Sequence, residues 1–128
     1  MESSTIVIDS SILIEYLRAK DKRATTLFNI PDNTKVCISA VTLYELYIGA
    51  TNEPKWNDVK LLTNDLILLP FNEIIAIESA KIFHELRKSN TMIEFRDIFI
   101  AATCKIHNLP IKTLNKNHYK RINGITVE

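Results

Sequence analysis

The chain has 128 residues, 46% of them hydrophobic and 24% charged, with a formal net charge of +1. That size and balance fit one globular domain over residues 1–128. A net charge this small excludes a bulk electrostatic grip on nucleic acid, so any such contact must come from a local patch.

Only two glycines and four prolines are present, which argues against long disordered linkers. No run approaches the roughly 20 apolar residues of a membrane span, and residues 1–5 lack the basic start of a secretory leader. Cys37 and Cys104 are far apart with no zinc-type spacing, so they read as buried thiols in a reducing compartment. The expectation is a soluble, cytoplasmic protein.

Residues 5–9 (Thr-Ile-Val-Ile-Asp) are a β-branched run ending in an acid. Continuous apolar character suits a strand buried on both faces of a parallel sheet, with Asp9 at its carboxyl end. Ser10 and Ser11 can cap a helix, and Ile12, Leu13, Tyr16 and Leu17 recur at helical spacing. A basic linker follows, then a second helix expected over residues 23–29, stopping before Pro31.

Residues 35–39 read as another buried strand. A helix follows over residues 41–50, carrying Glu45 among Leu43, Tyr44, Leu46 and Tyr47. Residues 54–64 form a further helix, with Trp56 and Val59 on its apolar side. Residues 66–71 are a short strand or extended edge ending near Pro70. Asn72 caps a long helix through Lys88, with Ile75, Ile82, Phe83 and Leu86 as its apolar positions.

The stretch Glu94-Phe95-Arg96-Asp97-Ile98-Phe99-Ile100-Ala101-Ala102-Thr103-Cys104 opens in acid and continues without a charge from Ile98 to Cys104. It reads as a helix buried on most faces, with Glu94 and Asp97 close to its start. Residues 110–114 are a third strand candidate, followed by Asn115, a helical turn at 116–119, and a last strand at 124–127. Strands alternating with helices predict a three-layer α/β/α sandwich with a mainly parallel sheet. Its site belongs at the carboxyl ends of the strands, where Asp9, Ser11 and Asn115 fall.

Each acid has a plain explanation taken singly. Asp9 and Asp97 are helix-start acids, and Glu45 is a side chain rotated to solvent. Taken together they say more. Carboxylates converging to about 4 Å repel by roughly 4 kcal/mol per pair at an effective dielectric of 20. A fold keeps such a cluster if a cation neutralises it or a proton does. Magnesium and manganese take oxygen ligands of this kind.

Four segments carry a resemblance: Ile8-Asp9-Ser10-Ser11-Ile12-Leu13, Ser39-Ala40-Val41-Thr42-Leu43-Tyr44-Glu45-Leu46, Arg96-Asp97-Ile98-Phe99-Ile100-Ala101-Ala102, and Thr113-Leu114-Asn115-Lys116-Asn117-His118-Tyr119. In this order, over nearly the whole chain, they resemble PIN-domain ribonucleases, and within these the VapC-type toxins of toxin–antitoxin pairs. The resemblance implies a Mg2+- or Mn2+-dependent endoribonuclease that hydrolyses RNA phosphodiester bonds. Asp9, Glu45 and Asp97 match the family's acidic metal ligands, and Asn115 falls where it has a fourth acid or an asparagine. Ser11 matches the small polar residue beside the first acid, and Glu94 lies where some members carry an additional one.

The resemblance also implies a homodimer and a cognate antitoxin whose C-terminal segment fills the groove near the acids. Two departures stand out: neutral Asn115 weakens the case for a second metal, and His118 stands where toxin-type members often have an acid. Ser11, Glu94 and Lys116 are expected to position substrate or water. Lys112, Lys116, Lys120 and Arg121, with Tyr119 among them, either guide an RNA backbone and stack a base or form a solvated surface. His107 and His118 read as surface or capping residues. The alternative from another class is a PIN-like module that binds RNA or protein with little or no catalysis. A receiver-like signalling domain ranks last, because a single Asp9 is followed by serines.

Overall fold

A computed structural model describes residues 4–128. Met1, Glu2 and Ser3, part of the stretch inspected for a leader, lie outside the described residues. Four strands, β1 (Ser4–Ile8), β2 (Thr34–Ser39), β3 (Ile67–Leu69) and β4 (Ile111–Lys112), form a sheet in the order β3-β2-β1-β4 with every pairing parallel. Six α-helices connect them: α1 (Ser10–Arg18), α2 (Ala40–Gly49), α3 (Glu53–Thr63), α4 (Glu73–Lys88), α5 (Phe95–His107) and α6 (Lys116–Lys120).

The apolar run of β1 is explained by two cores. Ile6 and Ile8 join Ile12, Leu13, Leu46 and Val59 of α1, α2 and α3 on one face. Val7 joins Cys37, Ile111 and residues of α4, α5 and α6 on the other. Period-two alternation sends successive side chains to opposite faces, and here both faces are covered, as the three-layer expectation required. Helix α5 buries Ile98, Ile100, Ala101, Ala102, Thr103 and Cys104. Its small residues let it pack closely on α4 and α2. Asn108 ends it in the left-handed region, at φ 54°, a conformation Asn tolerates better than most residues.

Two strands convert to helices with no intervening loop, and a side chain makes each conversion. Asp9 accepts from Ser11 N at 3.1 Å to start α1, and Ser39 Oγ accepts from Val41 N at 2.9 Å to start α2. Both caps satisfy amides that the first helical turn leaves free. The first turns of α1 and α2 are thereby fixed to the carboxyl edge of the sheet.

Two expected elements are corrected. The helix over 23–29 is a single 3₁₀ turn, Lys22–Ala24, followed by turns. Local side chains compete with helical bonding there: Thr25 Oγ1 donates to Lys22 O at 2.6 Å, and Asn29 Nδ2 donates to Thr25 O at 2.8 Å. The last strand reduces to one parallel bridge, Ile111–Val127. Phe83, placed on the apolar side of α4, is partly exposed, whereas Ile75, Ile82 and Leu86 are buried. Both cysteines are buried and free.

Candidate active site

Asp9 leaves β1 at the centre of the sheet and is only 2% exposed. A buried carboxylate is costly unless its oxygens are satisfied, and Asp9 has donors on both. Oδ1 accepts from Ser11 N and from Ser11 Oγ, and Oδ2 accepts from Thr113 Oγ1 at 2.6 Å. Ser11 Oγ in turn accepts from Leu114 N at 3.1 Å, and Thr113 Oγ1 from Asn115 N at 2.9 Å. These two hydroxyls stitch the start of α1 to the segment after β4. Since Ser11 gives its hydroxyl hydrogen to Asp9, its place is to hold that acid.

Glu45 lies in the middle of α2 with its side chain 16% exposed. Its Oε2 is 3.6 Å from Arg96 Nη1, while Oε1 is buried with no hydrogen-bond partner among the described residues. Thr42 Oγ1, one turn earlier on α2, is likewise buried and unpartnered. Burial pushes the Glu45 carboxyl above the usual carboxylate range. Arg96 opposes that rise, and the charges of Asp97, Asp9 and Glu94 add to it. Glu45 therefore lies within reach of the charges of both Asp97 and Asp9.

Asp97 sits in the first turn of α5, where its charge complements the helix dipole. Its carboxylate is held on both sides by α6. His118 Nδ1 lies 2.8 Å from Oδ2, and Tyr119 OH donates to Oδ1 at 3.3 Å. This corrects two readings of the last segment. His118 is a partner of Asp97 and no mere surface or capping residue. Tyr119 is fully buried, so its ring has no face to stack a base. Burial and the charges of Asp9 and Asp97 raise its phenol far above the ordinary tyrosine value.

Asn115 and Lys116 are exposed at the start of α6, with no capping bond from the Asn115 side chain. Glu94 is exposed and accepts from Arg96 Nη2 at 3.2 Å. Sequence reasoning passed over Thr113 and Arg96 as site residues. A threonine at the end of a strand that must lie beside β1, and an arginine adjoining an acid in the first turn of a buried helix, were the available signals. Beside Glu45 a cleft of about 250 Å³ runs between α1, α2 and α3. Ile14, Leu17 and Val59 are among its apolar residues, and Arg18 and Lys55 line it as well.

The fold and this corner define an α/β/α domain with an acidic site at the carboxyl edge of a parallel sheet. The chain belongs to the PIN-domain family, which matches residues 6–124, and within it to the VapC group. The ribonuclease VapC of Rickettsia bellii is 32% identical to it over 129 residues, spanning 95% of this chain and 93% of that one. Among solved structures, VapBC-1 from nontypeable Haemophilus influenzae superposes with a TM-score of 0.82 at 24% identity, over 97% and 96% of the two chains. The DNA-bound VapBC from Salmonella typhimurium gives 0.80 at 25% identity, over 98% and 97%.

Among the described residues, no three His, Cys, Asp or Glu side chains are grouped so as to hold a metal ion as they stand. Asp97 is engaged by His118 and Tyr119, and Glu45 by Arg96. The donor set still fits a hard divalent cation. It offers carboxylate oxygens, and Glu45 Oε1 is a buried carboxylate atom that no donor among the described residues satisfies. Among the described residues, no helix is long and apolar enough to cross a membrane.

Proposed function

We propose that the chain is a Mg2+- or Mn2+-dependent endoribonuclease acting as the toxin of a type II toxin–antitoxin pair. One observation carries the reading. Glu45 is half-buried, its Oε1 is buried with no hydrogen-bond partner among the described residues, and burial with the added charges of Asp97 and Asp9 raises its carboxyl pKa. Three carboxylates supported in this way need a cation or a proton, and the VapC relatives are named ribonucleases.

In this mechanism Asp9, Glu45 and Asp97 would hold the metal. When bound, the ion would lower the pKa of a water molecule and offset charge on the phosphoryl group. The rest falls to the chain. Ser11 and Thr113 keep Asp9 aimed from the strand edge, and His118 and Tyr119 keep Asp97 from turning away. The exposed Asn115 amide hydrogen-bonds water or a phosphate oxygen, and Lys116 draws the RNA backbone toward the same edge.

The antitoxin is proposed to lay a segment in the cleft between α1, α2 and α3, which reaches Glu45 and offers apolar and basic side chains together. The homodimer is proposed to form over the exposed side chains of Phe71, Ile74, Ile77 and Phe95, where Phe99 meets both Phe71 and Phe95 edge to face. A face of this kind is the usual mark of an interface. The absence of a preformed three-ligand cluster among the described residues favours a second reading, a PIN-fold module without catalysis.

Cleavage of mixed cellular RNA in Mg2+ or Mn2+, beside Asp97→Asn and an EDTA control, separates the two. Metal-dependent cutting lost in the variant supports the nuclease. Equal residual cutting in both would leave the binding module.

A further inference from the structure

Arg96 occupies the second position of α5, between Glu94 and Asp97 in sequence. Its guanidinium joins two acids at once, with Nη1 3.6 Å from Glu45 Oε2 and Nη2 donating to Glu94 Oε2 at 3.2 Å. The longer contact exceeds hydrogen-bonding distance. The side chain is 41% exposed, and ion pairs with this access to solvent exchange readily. Arg96 is the cation that the structure places against the carboxylates of Glu45 and Glu94. It supplies in part what a divalent ion would supply with twice the charge.

We infer that Arg96 is a substrate-positioning residue parked on Glu45 and Glu94, which a divalent ion displaces toward an RNA phosphate. The inference rests on the nuclease reading above. Arg96 and the ion compete for Glu45 Oε2. Once freed, the guanidinium remains tethered beside Asp97, where its planar fork suits two phosphate oxygens as it suits carboxylate oxygens. Glu94 then has a role other than contacting substrate or water: it holds the arginine within reach.

The competing role is a tether, in which Arg96 orients Glu45 for the metal. The two roles predict opposite signs. Mn2+ alone is titrated into the full chain and into Arg96→Ala and Arg96→Lys, with free Mn2+ followed by electron paramagnetic resonance. Competition predicts that Arg96→Ala binds Mn2+ about fivefold more tightly, the low end for coupling between two ligands of one site. At saturating Mn2+ the same variant should raise KM for RNA about tenfold with a smaller change in kcat, which marks lost uniform binding. Arg96→Lys should fall between, because it keeps the charge and loses the fork.

Weaker Mn2+ binding in Arg96→Ala would establish the tether and overturn the inference, as would an unchanged KM. A wild-type chain that binds no Mn2+ and cuts no RNA would sink the nuclease reading and this inference with it. Wild-type binding and cutting without the opposed shifts would sink the inference alone. Melting curves of the variants confirm that each is folded.

Discussion

Asp9 and Glu45 are both acids on the same corner, and the fold treats them in opposite ways. Asp9 has donors on each oxygen, two of them hydroxyls that also bind the chain after β4. Glu45 has one long ionic contact and one buried oxygen with no partner. The first carboxylate belongs to the architecture: it caps α1 and clamps the two strands at the centre of the site. The second is a cost the architecture carries, since a buried acceptor without a donor typically loses about 1–3 kcal/mol. A residue that costs stability and is nonetheless enclosed by its own fold points to something that completes it.

The largest effect that could break this contrast is at Asp9. Asp9→Ala removes the cap of α1, worth about 1 kcal/mol, and leaves the buried Thr113 hydroxyl without its acceptor, worth about 1–3 kcal/mol more. A loss of about 3 kcal/mol in urea unfolding is expected, together with loss of cleavage. A loss well under 1 kcal/mol would show that the network around Asp9 is not structural.

Next in size is the response to metal. Saturating Mn2+ at a hundredfold excess over its dissociation constant should stabilise the wild-type chain by about 2.7 kcal/mol. The shift should vanish in Glu45→Gln, and a wild-type melting temperature unmoved by Mn2+ would remove the ground for treating Glu45 as an incomplete ligand. His118→Ala follows, removing the partner 2.8 Å from Asp97 Oδ2. Loss of a group that orients a ligating carboxylate should weaken Mn2+ binding about tenfold. His118→Asn, whose amide nitrogen can take the place of Nδ1, should restore most of it. Equal affinity in wild type and His118→Ala would leave Asp97 held by Tyr119 alone.

The layered fold and the sheet edge on which Asp9 stands were legible in the sequence for definite reasons. The apolar run of β1 required a sheet covered on both faces, and the charge-free run of α5 required burial; both hold. Asp9 could be placed because a strand that turns at once into a helix fixes its own edge. What stayed hidden depends on contacts distant in sequence or on competition between local bonds. The Thr113–Asp9 bond joins residues 104 apart, and its only trace in the sequence is a threonine at the end of a strand that must lie beside β1. His118 looked like a surface residue because α6 is only five residues long, and a helix so short gives no periodicity from which to read an inward face. The residues 23–29 were misread as helix because the Thr25 and Asn29 side chains bond the carbonyls of Lys22 and Thr25, local bonds that a propensity count does not include.

The smallest effect sharpens the comparison most, because its sign is unusual for a buried site. In Glu45→Gln a charge leaves a place where burial and three acids oppose it and Arg96 alone favours it. The metal-free variant should therefore be slightly more stable than wild type at neutral pH. The pH dependence carries the same sign. The folded chain holds the Glu45 proton to higher pH than the unfolded chain, whose value is near 4.5. Folding thus has its full stability from this group below that value and loses it as pH rises through the raised folded one. The gap between Glu45→Gln and wild type should be small in acid and open toward neutrality, in urea unfolding with metal removed. A gap that stays flat with pH would mean that Arg96 already compensates the charge in full, and Glu45 would then resemble Asp9 after all.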